Sequence, residues 1–220
     1  MGKNKLKKFE ELKSFPNVKE FTGFFDVIDF GLKGKWNSGF FKNNNPVVLE
    51  LACGRGDYTL ELAKLHPGKN FIGIDIKGHR IWKGAKKALE ENIENAAFLR
   101  TPIEKIADFF EAEEIDEIWI TFPDPFPAIG SKNRRLTSPP FLEKYKQVLK
   151  QEGIIHLKTD ADSLYKYSLE VAESSSLKVL EKTNDLYSLP SISEDLQIKT
   201  HYERMHLQAG KKIKYLKFTF

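Results

Sequence analysis

An aspartate between two prolines is the residue of this sequence best suited to chemistry. Asp124 lies in the segment Phe122-Pro123-Asp124-Pro125-Phe126, directly after an apolar run typical of a buried strand. The prolines restrict the backbone around the carboxylate, and the aromatic side chains offer apolar faces beside it. A carboxylate can accept hydrogen bonds from N1 and the amino group of guanine while aromatic rings stack on the base. The segment therefore predicts a guanine pocket; the alternative is an aspartate that only caps a turn.

A glycine-rich turn forms the second candidate site. Residues 47–52 have the pattern of a buried strand, and Gly54 and Gly56 follow it before a helical pattern begins. Glycines at these positions let the backbone turn sharply and approach a ligand closely. Asp75 ends the next apolar run about 20 residues later, where an acid can accept hydrogen bonds from both hydroxyls of a ribose. Turn and acid together predict a nucleotide-type site; the alternative is a turn that merely connects strand and helix.

Two residues indicate which nucleotide this turn would bind. Dinucleotide-binding turns carry a third glycine for close helix packing, and Thr59 stands at that position here. Glu50, near the end of the first strand, would repel a diphosphate but attract a sulfonium or ammonium cation. S-adenosylmethionine carries both of these cations. The turn therefore favours S-adenosylmethionine over a nicotinamide dinucleotide.

Alternating apolar and amphipathic segments predict the elements that position these residues. From residue 47 onward they indicate a Rossmann-like α/β fold, with a mostly parallel sheet of seven strands and helices on both faces. The last two strands are expected to form an antiparallel edge. The predicted strands are 47–52, 70–75, 96–99, 117–122, 153–158, 177–182 and 213–220. The predicted helices are 58–65, 79–91, 103–110, 140–150 and 163–174, with one further short helical segment before the last strand.

Basic residues are clustered although the formal net charge is only +4. Such clusters can bind polyanions, and each can also be an ordinary solvated helix face. We expect the cluster after Asp124 to contact phosphates. The first 45 residues are lysine-rich, with segments around four of their phenylalanines that differ in character from the rest of the chain, so we interpret residues 1–45 as a basic arm beside a domain spanning 46–220. The clusters comprise Lys3, Lys5, Lys7 and Lys8; Lys77, Arg80, Lys83, Lys86 and Lys87; Lys132, Arg134 and Arg135; and Lys211, Lys212 and Lys214. The phenylalanines are Phe21, Phe24, Phe25 and Phe30.

Composition narrows the setting in which this chain is expected to work. The single Cys53 excludes an internal disulfide, and the five histidines show no metal-ligand spacing, so we predict no metal site. No apolar run approaches the roughly 20 residues that span a bilayer. Leu6 and Phe9 stand isolated among charges, unlike the apolar core of a signal peptide. We expect a cytoplasmic protein without a membrane partner, as a monomer or a homodimer.

Taken together, these motifs resemble the bacterial tRNA (guanine-N7)-methyltransferases, which are class I S-adenosylmethionine-dependent methyltransferases. The resemblance runs from about residue 47 to residue 203. It is carried by the glycine turn, Asp75, the Phe-Pro-Asp-Pro loop with its basic sequel Lys132-Asn133-Arg134-Arg135, Thr159-Asp160 after the fifth strand, and Thr200-His201-Tyr202-Glu203.

The resemblance implies methyl transfer from S-adenosylmethionine to N7 of a guanine in tRNA, at position 46 of the variable loop. It also implies roles for individual residues: catalysis for Asp124; cofactor binding for Glu50, Gly54, Gly56, Asp75, Thr101 and Asp124; substrate binding for Lys132, Asp160, Thr200 and Glu203. Two positions depart from the family pattern. Thr101 stands where the family usually has an acid near the adenine, and Ala128 stands where it usually has a substrate lysine, which leaves Lys132 as the substitute.

Two other classes of function are compatible with parts of the sequence. A nicotinamide-dependent oxidoreductase would use the same kind of turn, although Thr59 argues against it. A non-catalytic RNA-binding module could retain the cofactor fold without turnover. Methyl transfer to guanosine in bulk tRNA would distinguish both from a methyltransferase.

Overall fold

The structure is a computed structural model that describes residues 3–21, 23 and 30–220, with side chains from residue 6 onward. Phe24 and Phe25 of the N-terminal arm lie outside the described residues, as do the side chains of Lys3 and Lys5. No helix within the described ranges is both long and apolar enough to cross a bilayer.

A single twisted sheet forms the centre of the molecule. Its strands lie in the order β1-β4-β3-β2-β5-β6-β8-β7, with β1 to β6 parallel and β8 antiparallel to both β6 and β7. The Rossmann-like sheet with an antiparallel edge is therefore confirmed. The strands are β1 (Val18–Glu20), β2 (Val47–Leu51), β3 (Asn70–Asp75), β4 (Ala96–Arg100), β5 (Ile115–Thr121), β6 (Leu149–Thr159), β7 (Lys178–Thr183) and β8 (Lys214–Thr219).

The predicted number of seven strands is wrong, because the N-terminal segment supplies an eighth. β1 pairs in parallel with β4, from Val18 opposite Phe98 to Glu20 opposite Arg100. Its three residues, Val-Lys-Glu, are too few and too polar to produce a strand pattern. Pairing with a neighbour that is already formed is sufficient to order them.

Helices cover both faces of the sheet, as expected. The predicted helix 103–110 divides into a 3₁₀ turn (Ile103–Lys105) and the short α4, and the predicted helix 140–150 ends at Val148 because Leu149 already pairs with Ile115. The helices are α1 (Lys3–Leu12), α2 (Asp57–Leu65), α3 (Gly78–Glu90), α4 (Ile106–Phe109), α5 (Pro139–Val148), α6 (Asp162–Ser174), α7 (Glu194–Gln197) and α8 (His201–Gln208).

Successive residues of the central strands alternate between two apolar layers. Leu49 and Leu51 belong to one buried cluster and Val48 to the other. By the same alternation Glu50 points to the face that α2 and α3 cover. A carboxylate is therefore placed inside a largely apolar layer.

The described parts of the first 45 residues pack on both faces of the sheet. Leu12 at the end of α1 is fully buried beside α3, and the Asn17 side-chain amide donates to the carbonyl of Ala85 at 3.0 Å. On the opposite face Trp36 is fully buried and its indole N–H donates to the carbonyl of Phe109 at 3.1 Å. The domain boundary at residue 46 stays a prediction.

The strand order creates a crevice where the two candidate motifs meet. From β2 the chain builds outward through β3 and β4 on one side, and it returns to the other side of β2 with β5. Ligands bind at such reversals, outside the carboxyl ends of the strands. The glycine turn follows β2 and the Asp124 loop follows β5, so the topology brings them side by side.

Candidate active site

A cleft of about 360 Å³ opens at the carboxyl edge of the sheet. This volume lies within the usual range of small-molecule sites, roughly 300 to 1,000 Å³. It is lined by Ala52, Asp75, Ile76, Lys77, Arg80, Thr101, Pro102, Ile103, Glu104, Phe122, Pro123, Asp124, Phe126, Arg134, Leu136 and Phe141. A smaller pocket of about 50 Å³ shares Ala52, Arg80 and Phe122 with the cleft and also contacts Glu50, Gly54, Thr121, Thr200 and Tyr202. The two spaces are therefore adjacent and share part of one wall.

Asp75 ends β3 and is fixed against the glycine turn. Its Oδ2 accepts a hydrogen bond from the backbone N–H of Gly54 at 2.9 Å, and its Oδ1 accepts one from the N–H of Lys77 at 2.7 Å. The side chain is buried yet lines the cleft. Each carboxylate oxygen keeps a further lone pair, so Asp75 can accept hydrogen bonds from two ligand hydroxyls.

Gly56 is required by both conformation and space. Its φ is +70°, and a Cβ at this position would lie 2.5 Å from Cε1 of the buried Phe98 ring. Gly54 also has a positive φ, +57°, in the left-handed region that glycine adopts without a steric penalty. The sharp turn expected from the sequence is therefore present, and its backbone stays close to the cleft.

Glu50 is buried beneath the glycine turn and holds three hydrogen bonds. Its Oε2 accepts from the backbone N–H of Thr59 at 2.8 Å and from the Thr59 hydroxyl, and its Oε1 accepts from the Thr121 hydroxyl at 2.6 Å. Burial nevertheless raises the pKa of Glu50 to about 7, because desolvation outweighs the hydrogen bonds from the two threonines. Thr59 occupies the place of the third glycine and anchors this carboxylate.

The backbone around the cleft is strained at three residues other than glycine. Ala52, Phe122 and Phe126 have φ values of 57°, 49° and 42°, and all three line the cleft. Such conformations cost on the order of 1 to 3 kcal/mol each and persist where the surrounding structure enforces them, most often at functional sites. Two of them flank Asp124, so the loop holds its exposed carboxylate in a fixed position at the cleft.

The wall of the cleft beyond β4 presents an unpaired hydroxyl and an acid. Thr101 is fully buried, and its Oγ1 has no hydrogen-bond partner among the described residues. Since buried hydroxyls are normally paired, this atom fits a ligand group in the cleft. Glu104, which sequence reasoning missed, lines the same wall three residues further on. Its position two residues after Pro102, in the segment that follows β4, is the sequence feature that could have identified it.

The basic residues after Asp124 have two different roles. Arg134 lines the cleft, with its guanidinium 4.4 Å from the centre of the Phe126 ring, and Lys132 is exposed on the neighbouring 3₁₀ turn, Ile129–Arg134. Arg135 is buried instead, and its guanidinium donates to the Phe126 carbonyl at 3.1 and 2.9 Å. The expectation that Arg135 contacts phosphates is therefore wrong, because its charge fixes the loop backbone.

Glu203 is enclosed in the protein by a buried ion pair. Its Oε1 lies 2.9 Å from the ammonium of Lys158, and both side chains are fully buried. The Tyr187 hydroxyl donates to the same oxygen at 2.6 Å. Lys158 also donates to the carbonyls of Leu196 and Ile198, at 2.9 Å each, and its burial lowers its pKa to about 8. Lys158 therefore joins the end of β6 to the segment that leads into α8.

Thr200 caps α8 and lines the smaller pocket. Its Oγ1 accepts from the backbone N–H of Glu203 at 3.1 Å, which satisfies the first turn of the helix. The centre of the Tyr202 ring, in the same turn, lies 6.0 Å from the Arg80 guanidinium across the pocket. Thr200 and Tyr202 face the site, whereas Glu203 anchors the helix from below.

Asp160 lies beside the site and reaches it through a histidine. Its Oδ2 lies 2.6 Å from the Lys211 ammonium and 3.3 Å from Nδ1 of His206. The His206 ring stacks on Phe122 with 5.9 Å between ring centres. Sequence analysis found no metal-ligand spacing among the histidines and singled out no role for His206. The structure places it between the predicted substrate acid and the cleft.

This parallel sheet, with the glycine turn and an acid at the end of β3, defines the class I methyltransferase fold. The solved structure of the 16S rRNA methyltransferase KamB superimposes with a TM-score of 0.65 over 89% of this chain and 96% of that one, at 14% sequence identity. A family model described as "Putative methyltransferase" matches residues 44–216.

Two curated relatives extend the comparison over nearly the whole chain. The chain is 49% identical to the tRNA (guanine-N(7)-)-methyltransferase of Christiangramia forsetii over 223 residues, which cover 99% of this chain and 98% of the relative. It is 48% identical to the enzyme of the same name from Bacteroides thetaiotaomicron over 219 residues, covering 99% and 86%. The chain belongs to the tRNA (guanine-N7)-methyltransferase family.

Removing the buried ammonium should destabilise the protein strongly. We expect Lys158→Met to lower the free energy of unfolding by about 3 to 5 kcal/mol, because Glu203 is left as an uncompensated buried charge. Lys150→Met is the matched control on the same strand; its half-exposed pair with Asp116 should contribute about 0 to 1 kcal/mol. Urea denaturation of both variants measures the difference, and adding Glu203→Gln to Lys158→Met should recover part of the loss. Equal small losses would show that the buried pair contributes no more than an exposed one.

Proposed function

We propose that the cleft holds S-adenosylmethionine and a guanine of tRNA side by side, with Asp124 acting on both. As a family member, the protein is a tRNA (guanine-N7)-methyltransferase that uses S-adenosylmethionine. The observation that carries the residue assignment is the fixed Asp124 between strained Phe122 and Phe126, at a cleft that also contains Asp75. We further propose that the guanine is position 46 of the variable loop, and that the enzyme is cytoplasmic, requires no metal ion and acts as a monomer or homodimer.

The residues present fit the cofactor along the length of the site. Asp75 can accept from the ribose hydroxyls, and the unpaired Thr101 hydroxyl together with Glu104 fits the polar edge of the adenine. Gly54 leaves room for a close approach of the cofactor to the backbone, and Gly56 supports the turn from behind by packing against Phe98. Glu50 borders the smaller pocket, where its charge would favour the cationic end of the cofactor.

Bound S-adenosylmethionine supplies an electrophilic methyl group. Guanine N7 carries a free lone pair, so the chain needs no base to activate it. Asp124 would accept hydrogen bonds from guanine N1 and the exocyclic amino group, which selects guanine and orients N7. The same carboxylate would stabilise the positive charge that develops on the methylated ring. Alignment and electrostatics therefore account for the proposed catalysis.

The proposed tRNA contacts surround this pocket. Arg80 and Arg134 line the walls of the cleft, and Lys132 extends from the turn beside it. These cations suit the phosphates on either side of the target base. Thr200 would contact the substrate directly, whereas Glu203 would act by placing α8 and Asp160 by orienting His206.

Changing the polarity of Asp124 should abolish most turnover. We expect Asp124→Asn to lower kcat/KM by about 10²- to 10³-fold, because an amide replaces one acceptor with a donor facing guanine. Since phosphates provide most of the affinity, binding of tRNA should change little.

A tRNA with inosine at the target position, which lacks the amino group, tests the contact between Asp124 and guanine itself. The kcat/KM of the wild type should fall about tenfold on this substrate, and that of the variant should fall less. Equal discrimination by both proteins would remove Asp124 from the guanine edge.

Cofactor affinity should rise with pH through about 7. In the free enzyme the raised pKa of Glu50 means that the carboxyl is mostly protonated at pH 6 and mostly ionised at pH 8. The cationic cofactor favours the ionised form, so affinity should increase by about tenfold over this range and binding near pH 7 should release a proton. Calorimetry in buffers of different ionisation enthalpy detects that proton. Glu50→Gln is the control and should bind without pH dependence; a pH-independent wild type would contradict the proposal.

The basic turn should contribute to the salt dependence of tRNA binding. Replacing Lys132 and Arg134 by glutamine should flatten the slope of log affinity against log salt, by about 0.7 to 0.9 units for each phosphate that the variant no longer neutralises. The matched control is the double replacement of Lys178 and Lys182 by glutamine; both are exposed on β7 at the far edge of the sheet. If the two double variants gave equal slopes, tRNA would not bind at the turn that carries Lys132 and Arg134.

A further inference from the structure

Ile129 is unusually exposed for an apolar side chain, at 81% of its surface. The other large apolar side chains that the structure describes as exposed range from 36% to 54%. Isolated exposed apolar residues are normal on protein surfaces. Ile129 differs because it lies on the 3₁₀ turn between Phe126 and Arg134, which both line the cleft.

The backbone that presents Ile129 is held on both sides. The backbone N–H and the hydroxyl of Ser131 both donate to the Ala128 carbonyl, at 3.0 and 2.8 Å. The Arg135 guanidinium donates to the Phe126 carbonyl at the base of the same loop. A Cβ added to the adjacent Gly130 would meet no atom within 4 Å. The side chain is thus exposed on a hydrogen-bonded turn whose last residue, Arg134, lines the cleft.

The proposed reaction creates a need for such a group. Asp124 can accept from the Watson–Crick edge of a guanine only after that base has left its pairs and its stacked neighbours. Enzymes that act on a base extrude it and must compensate for the stacking that is broken. Apolar side chains inserted between bases provide this compensation in other protein–nucleic acid complexes.

We propose that Ile129 is a wedge that enters the tRNA stack and fills the space vacated by the target guanine, an inference that rests on the proposed function of the cleft. The turn that carries Ile129 also carries Lys132 and Arg134. One rigid element would therefore supply the apolar wedge and the cations for the flanking phosphates. Ile129 acts on the base stack and leaves the methyl transfer itself to the cleft.

A comparison of folded tRNA with single-stranded RNA separates the proposed role of Ile129 in opening the base stack from the methyl transfer itself. A folded tRNA needs the wedge, whereas a short single-stranded RNA that contains one guanine does not, because its base is already free. We expect Ile129→Ala to lower kcat/KM by about tenfold or more on folded tRNA and to leave it unchanged on the single strand. Ile129→Phe, which restores a large apolar group, should recover most of the loss. Leu180→Ala is the matched control, since Leu180 is 42% exposed on β7.

A binding measurement tests the wedge without turnover. With 2-aminopurine beside the target position of the tRNA, wild-type binding should increase fluorescence as the neighbouring stack opens, and Ile129→Ala should bind with a much smaller increase. Equal losses on folded and single-stranded substrates, or an unchanged fluorescence response, would overturn the wedge. A variant that changes the oligomeric state in light scattering would assign Ile129 to an interface with a second copy of the chain. If the wild type methylates neither RNA, the proposed function fails, and the fluorescence response still decides the wedge.

Discussion

The hydrogen-bonded carboxylate of Glu50 is the constraint on which the site depends. It joins β2, where it resides, to α2 through Thr59 and to the end of β5 through Thr121. The glycine turn and the Asp124 loop follow β2 and β5, so both sides of the cleft share one buried anchor. Such a group is costly to bury unless it is hydrogen-bonded or neutralised. Because the folded pKa of Glu50 lies near 7 and above its usual value, the stability that comes from its protonated form is present at low pH and is lost as the pH rises through 7. A cationic ligand beside Glu50 would offset that loss.

Lys158 and Glu203 form a second buried anchor with a different purpose. A buried pair of this kind contributes little net stability compared with apolar packing, so its value lies in placement. It fixes the segment before α8 and thereby the first turn of that helix, whose Thr200 and Tyr202 border the smaller pocket. Strain in the Phe122–Phe126 loop has the same character, because the structure gives up stability to hold Asp124 still. At this edge of the sheet the protein gives up some stability in order to hold the side chains of the site in position.

Local patterns predicted the parts of the structure that local chemistry determines. The strand Asn70–Asp75 has the bounds expected from its apolar run, and Asp75 meets Gly54 because both end adjacent parallel strands. The burial of charged residues away from the two pockets escaped prediction, since a charge in a sequence indicates a surface. Arg135 and Glu203 are examples: their partners, Phe126 in the preceding loop and Lys158 on β6, are recognisable only once the chain has folded.

Charges of both signs line the cleft, and this arrangement suits the proposed reaction. Acids, namely Asp75, Glu104 and Asp124, line the same cleft as Arg80 and Arg134, and Lys132 adds a cation on the turn outside it. A phosphate chain is attracted by cations and repelled by acids, so we expect the exposed Lys132 and Arg134 to hold it on the turn beside the cleft while a neutral base enters. Methyl transfer then moves one positive charge from sulfur to guanine. If the cofactor and the base bind as proposed, both positions would lie in the cleft that the acids line, so the net charge there would be unchanged and Asp124 would need only to stabilise the new cation better than water does.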